Sequence, residues 1–371
     1  MSTTDRITKF WLPWIAVALW PAVARADAGT PLMWASAFHL VLGNVAIGIG
    51  EGLLLAILFK KRVASCIGVM IAANYLSAWV GAFLFTSSLS KSLGLDLNNA
   101  WRWLWIMVLA AYLLTVLLEW PFVAFCLRRS DAWLRKSVWG SLVVQLASYF
   151  VIFGCYWAVS GTSLYRDVAI VDPVQLHAPK GSVLYFIAAD DGDVYALDLN
   201  QRKRNRVCGL GSRDRGYRLQ AAESSTVSGA WDLVARFEPD VGSPTFRTLL
   251  SSFATAVPLR TEQASHWEER NSVGEVPRLG AAGDNSWEFR SGFWPLEGLY
   301  GKNTVDGRQL WLSLETPFLQ WRVRNATQLS DDQVVFQLGS DQICILDANG
   351  KTISLIARGW GPVVVVSEGM V

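Results

Sequence analysis

The sequence predicts a membrane all-α domain of four transmembrane helices, arranged as two pseudo-repeated hairpins, followed by an all-β extracytoplasmic domain. Three observations predict it. Four long apolar runs fill the first 160 residues. Two segments inside them, EGLLLAILFKKR from Glu51 and EWPFVAFCLRRS from Glu119, align without a gap. After Ser163 the apolar pattern shortens to strand-length runs divided by turn signals. The expected divisions are a signal peptide over 1–28, a four-span domain over 29–162 and a β-rich domain over 163–371.

Composition sets the outer bounds. Hydrophobic residues make up 52% of the 371-residue chain and charged residues only 17%, with a positive mean hydropathy. Soluble domains carry about 25% charged residues, so a chain that is soluble throughout is excluded. The net charge of +2 hides a split. Before residue 165 there are 12 Lys and Arg against 6 Asp and Glu; from 165 onward there are 21 against 25. Cations bordering apolar runs are a membrane signature. The mildly acidic remainder gives no footing for nucleic acid.

Taken in order, Arg6 and Lys9, an apolar core from Phe10 to Trp20, and Ala24-Arg25-Ala26 or Ala26-Asp27-Ala28 read as a signal peptide with its cleavage site. The four spans are expected over Ala35–Phe59, Val63–Phe85, Leu104–Leu127 and Val138–Ser160. Each is long enough to cross about 30 Å of hydrocarbon at 1.5 Å per residue. Lys60, Lys61 and Arg62 follow the first span, and Arg128, Arg129, Arg135 and Lys136 separate the third from the fourth. The positive-inside rule makes both loops cytoplasmic and puts everything after residue 160 outside. Trp34, Trp101, Trp103, Trp105, Trp133, Trp139 and Trp157 fall where an aromatic belt belongs.

Strands are expected at VLYFI from Val183, DVYALD from Asp193, WDLVARF from Trp231, LWLSL from Leu310, VVFQL from Val334, QICIL from Gln342 and TISLI from Thr352. Turn clusters at Asp190–Asp193 and Asp347–Lys351 divide them. Residues 262–301 read as polar and irregular. The stretches VLYFIAADDGDVYALDLNQRKR and VVFQLGSDQICILDANGKTISL share one layout: strand, turn, strand ending in Leu-Asp, polar turn. That layout resembles the strand pairs of a quinoprotein-like β-propeller blade, which implies four or five blades. A β-sandwich is the alternative. The final Pro362-Val-Val-Val-Val is a candidate for closing a ring against the first blade.

The residues with chemical potential lie in the spans. Glu51 and Glu119 each precede a basic pair by nine residues, so both sit roughly 13 Å in from that end. On the return helices Gln145 lies nine residues past Lys136 and Asn74 twelve past Arg62, within the corresponding Gln145-x-x-Ser148 and Asn74-x-x-Ser77. Asn44 precedes Glu51 by seven residues, nearly the same helical face, and Tyr112, Thr115 and Glu119 form a similar stripe. An ionised acid at mid-membrane costs at least about 2.5 kcal/mol, so such groups face partners or water. Glu51, Glu119, Asn74, Gln145 and Asn44 are therefore expected to meet in one polar layer. One reading is interhelical hydrogen-bond glue, favoured by Gly48-x-x-x-Gly52, which admits close helix contact. The other is a proton or cation site between pseudo-symmetric hairpins. Pro121 is expected to bend the third span, and His39 to be a packed histidine.

Elsewhere the signals are weak. Cys66, Cys126 and Cys155 read as packed hydrophobes. Cys208 and Cys344 lie in the rear domain, where an extracytoplasmic location would permit a disulfide between them. Asp190, Asp191 and Asp193 read as a hairpin turn rather than a Ca²⁺ loop. Arg202, Lys203, Arg204 and Arg206 read as a solvated basic loop. His177 and His266 have no catalytic partners in sequence, and no nucleophile elbow, phosphate loop, metal motif or cofactor motif occurs. The function expected is therefore non-enzymatic. It is that of a bacterial inner-membrane protein whose periplasmic or extracellular β-domain binds a protein or ligand, with the helices as anchor or assembly subunit. Its partners would be the lipid bilayer and a protein or a second copy. The alternative is a proton- or cation-coupled transport bundle using Glu51 and Glu119.

Overall fold

The computed structural model describes residues 30–84, 93–237, 243–254, 274–279, 285–292 and 297–366. The expected signal peptide and His266 lie outside the described residues. The chain forms two compact units, residues 1–85 with 109–160, and residues 86–108 with 161–371.

Four helices are long and apolar enough to cross a membrane: α1 (Pro31–Phe59), α2 (Val63–Leu84), α3 (Ala100–Leu127) and α4 (Trp133–Val159). Three of them, α1, α3 and α4, begin four or five residues before the apolar runs suggest, and local start signals act at two, α1 and α3. Thr30 accepts from the Met33 amide, with Pro31 at the first helical position. Ahead of α3, Asp96 Oδ1 accepts from the Asn98 and Asn99 amides while Asn99 Oδ1 accepts from the Asp96 amide. That reciprocal arrangement is a capping box with Asn in the usual Glu/Gln position. At its other end α1 closes on Lys60 in the left-handed conformation. Pro121 sits inside α3 without ending it. Outward side chains such as Phe150, Phe83 and Ile57 are 82%, 73% and 72% exposed. Surface of this kind is costly in water and suited to hydrocarbon.

The second unit adds a short α5 (Ser163–Arg166) and seventeen strands. Strands β1 (Ala169–Ile170), β2 (Ser182–Ala188), β3 (Val194–Asp198) and β4 (Arg204–Cys208) open it. A three-stranded sheet follows, from β5 (Tyr217–Glu223), β6 (Trp231–Phe237) and β7 (Thr245–Ala254). The next sheet has four strands, β8 (Gly274–Glu275), β9 (Trp287–Ser291), β10 (Leu299–Asn303) and β11 (Gln309–Leu312), and then comes a pair, β12 (Leu314–Glu315) and β13 (Gln320–Trp321). The chain ends with β14 (Val323–Gln328), β15 (Gln333–Leu338), β16 (Gln342–Asp347) and β17 (Thr352–Val366). The largest sheet runs β14-β15-β16-β17-β2-β3-β4, with β1 parallel beside β17. All other strand pairs among the described residues are antiparallel, and no barrel closes.

Strand β17 joins the two ends of this unit. Its first half pairs with β16, and after a bulge Val363–Val366 pairs with Tyr185–Ser182 of β2. Gly361 makes the bulge, at φ +62, where an added Cβ would meet the Leu219 amide at 2.9 Å. A side chain there would be strained by both backbone and neighbour. The final valine run thus pairs with the first long strand of the domain, as its position suggests.

One expectation needs correction. Residues 262–301 are not irregular where described: β9 alternates buried and exposed residues, with Trp287 and Phe289 pointing inward, and β10 pairs with it over five residues. At the entrance of α3, Trp101 and Trp103 pack on protein. Trp101 stacks on Tyr165 at 5.3 Å, and Trp103 packs on a core that includes Leu95, Leu97, Ala100 and Met107 beside Leu312, Phe336 and Cys344. The segment before α3 is therefore part of the β unit. The Leu97 amide donates to Gln342 Oε1 at 2.6 Å, and Tyr165 Oη donates to the Leu97 carbonyl at 2.8 Å. Replacing Gln342 with Ala leaves that buried amide unpaired. The expected cost is about 1–3 kcal/mol in denaturant unfolding of the full chain, with faster hydrogen exchange at Leu97.

Candidate functional site: a carboxyl–amide layer

The helical unit joins its polar groups across all four helices. On α1, Gly48 and Gly52 face α2 so closely that an added Cβ would meet the Ile71 and Ile67 backbones at 2.6 and 2.5 Å. This contact of small residues brings Glu51 within reach of α2. Asn74 Nδ2 donates to Glu51 Oε2 at 2.5 Å and to the Met70 carbonyl at 3.0 Å. Ser77 Oγ, one turn further along α2, reaches Glu119 Oε1 on α3 at 2.5 Å and the Asn74 carbonyl at 3.1 Å. Gln145 Nε2 on α4 donates to Glu119 Oε2. Glu51 and Glu119 are 3% and 0% exposed, so water does not compete for these bonds.

The two hairpins share this wiring but pack differently. The first uses glycines and backbone contact. The second uses polar links between bulkier helices: Trp120 Nε1 donates to Ser137 Oγ at 3.0 Å, Thr115 Oγ1 bonds Tyr149 Oη at 2.8 Å, and Tyr112 Oη donates to the Leu142 carbonyl at 3.4 Å. Below the layer, toward the basic loops, Leu55, Met70, Val123, Leu127 and Val144 form a dry core contributed by all four helices.

Of the residues the sequence nominates, Glu51, Asn74, Glu119 and Gln145 come together. Asn44 does not join them. Although buried, its amide donates to the Leu40 carbonyl of its own helix at 3.2 Å. His39 Nδ1 bonds Tyr156 Oη at 2.8 Å, within a π-helical turn at His39–Gly43. Ser77 is the link the sequence underplays. Its match to Ser148 marks a repeat, but nothing in the spacing shows that it reaches the opposite hairpin.

In the β unit the other nominated residues take structural places. Cys208 and Cys344 are not brought together and both are free thiols. Cys344 is buried mid-sheet in β16, while Cys208 ends β4, with β17, β2 and β3 between them. Burial pushes both thiols up from their ordinary value. Asp190–Asp193 form the β2–β3 turn. The basic tract is not a free loop, because its charges are used locally: Arg204 pairs with Asp190 at 3.1 Å, Arg206 with Asp193 at 2.7 Å, and Arg202 donates to the Pro173 and Leu176 carbonyls. No cluster of His, Cys, Asp or Glu fit to hold a metal ion occurs among the described residues.

No protein-family model matches the chain, and no curated protein matches it. The site is therefore read from its own chemistry. Replacing Glu119 with Leu strands the Ser77 hydroxyl and the Gln145 amide in an apolar core. An expected loss of about 1–3 kcal/mol in detergent unfolding follows, and Glu119→Gln, which keeps polar atoms in place, should recover most of it. Replacing Gly52 with Val forces α1 from α2 and should abolish folded yield in the same assay.

Proposed function

We propose that this chain is a multi-pass inner-membrane protein whose β unit lies outside the cytoplasm and binds a protein or ligand, with the helical unit as its anchor. The observation that carries the reading is that the segment before α3, residues 93–99, falls in one unit with residues 161–371, together with the first residues of α3. The segment before α3 and the chain after α4 share a compartment when both helices cross the bilayer. The cations sit at the opposite ends, in Lys60–Arg62 and Arg128–Lys136, which supports an outside location for that shared compartment.

The strand arrangement supports a propeller-like binding domain. Four antiparallel groups occur in order: β2–β4 with the second half of β17, β5–β7, β8–β11, and β14–β16 with the first half of β17. A last strand shared with the first group is how propellers close without exposing a long edge. The carboxyl–amide layer fits an anchoring role, since hydrogen bonds between helices hold hairpins that lipid alone would not sort.

The test combines topology with binding. Reporters after Arg62 and Ala132 should be cytoplasmic, and a C-terminal reporter should be outside. Photocrosslinkers on the β unit should give a discrete adduct in cells that survives Glu51→Gln with Glu119→Gln. A cytoplasmic C-terminus would refute the topology. Crosslinking everywhere silent across the β surface would refute the binding role.

A further inference from the structure

We propose that Glu51 and Glu119 form one proton-binding site buried in the helical unit, with Glu119 the held half and Glu51 Oε1 the position at which a proton is taken up and released. This goes beyond the anchoring reading and does not depend on what the β unit binds.

Ser77 has a single hydroxyl proton, yet Oγ lies at hydrogen-bond distance from both the Asn74 carbonyl, at 3.1 Å, and Glu119 Oε1, at 2.5 Å. The carbonyl oxygen accepts only, and so does a carboxylate oxygen while it is ionised. The two contacts are hydrogen bonds together when Ser77 donates to the carbonyl and Glu119 Oε1 carries a proton that it donates to Ser77 Oγ. The other side of the carboxyl agrees, because Glu119 Oε2 accepts from Gln145 Nε2 and needs no proton. The Asn74 amide is complete as well, its two hydrogens going to Glu51 and Met70.

The second hairpin repeats this wiring but leaves it unfinished. Ser148 Oγ donates to the Gln145 carbonyl at 3.1 Å, as Ser77 does to Asn74. Its oxygen is therefore free to accept from a protonated Glu51, and Ser148 and Gln145 of α4 both stand beside that carboxyl without bonding Oε1. Glu51 Oε2 is taken by Asn74, whereas Oε1 is fully buried with no hydrogen-bond partner. Each carboxyl thus has an amide from its own hairpin and a serine from the other, and only the Glu51–Ser148 contact stays open. Closing it requires one proton. Hydronium gives up H⁺, an O–H bond forms at Glu51 Oε1, the carboxyl passes from −1 to neutral, and the new O–H donates to Ser148 Oγ.

Nothing on the neighbouring helices offers a competing charge. The described residues of the spans carry no Lys, Arg or Asp at this depth, and the nearest cations, Lys60 and Arg128, lie nine residues away on their own helices. The titratable groups facing the pair are Tyr112 and Tyr149. Both are engaged, with the Leu142 carbonyl and Thr115. Cys66 and Cys126 sit further toward the basic end. His39 is twelve residues from Glu51 and bonded to Tyr156.

The full-length protein in lipid nanodiscs tests this by infrared difference spectroscopy between about pH 5 and about pH 9, the window where buried carboxyls exchange protons. One protonated-carboxyl band should bleach reversibly as pH rises and a second should persist. Glu51→Gln should remove the bleaching band. Should that variant fail to fold, Ser148→Ala provides the reading: it should change the proton affinity of the bleaching carboxyl by about tenfold, while Ser77→Ala perturbs only the persistent band. No reversible band in the wild-type protein would overturn the proposal, as would a bleaching band untouched in all three variants. Bleaching by sodium chloride but not choline chloride at fixed pH would replace the proton with a metal cation and overturn it too.

Discussion

An apolar helix bundle offers a buried polar side chain no partner except another polar side chain, and the helical unit is organised around that fact. Glu51, Asn74, Ser77, Glu119 and Gln145 bond to one another across the four helices and leave Glu51 Oε1 without a partner. The same constraint explains the helix packing. Glycines at 48 and 52 let α1 lie against α2, which places one acid beside one amide. The second hairpin, with Val116 and Trp120 at the matching positions, substitutes polar links through Ser137, Thr115 and Tyr149.

The β unit obeys a different economy, in which water rewards burial and strands must be paired. Its largest sheet holds together through β17, one strand that pairs with β16 up to Arg358 and with β2 from Gly359, with a bulge at Gly361 inside the second pairing. The segment preceding α3 contributes core side chains and a backbone bond to Gln342, so the unit is built from two separated parts of the chain.

Much of this was legible beforehand, for reasons that differ by residue. The spans were readable because a run of apolar residues has one solvent in which it is stable. The Glu51–Glu119 correspondence was readable because the duplicated hairpins keep acid and basic pair at fixed spacing. β15 and β16 were readable from their dense apolar content, and the Asp190–Asp193 turn from its chemistry. β9 was not, since Trp287 and Phe289 stand in a polar neighbourhood and only pairing with β10 gives their alternation meaning. The packing of Trp101 and Trp103 was hidden for a related reason: an aromatic residue at a helix entrance suits an interface and a protein core equally well.

Sequence by itself determined which part of the chain carries long apolar helices and which carries strands, the matched spacing of the two acids from the cations that follow them, and most of the local signals that start and stop the elements. These depend on residues within a few turns or strands of one another. Tertiary structure alone decided which polar group meets which. Ser77 reaches across to Glu119, Asn44 turns back on its own helix, and Cys208 and Cys344 stay three strands apart. Those outcomes turn on helix rotation, strand order and the crossing distance set at Gly48 and Gly52, which are fixed only when segments distant in the chain compete for the same space.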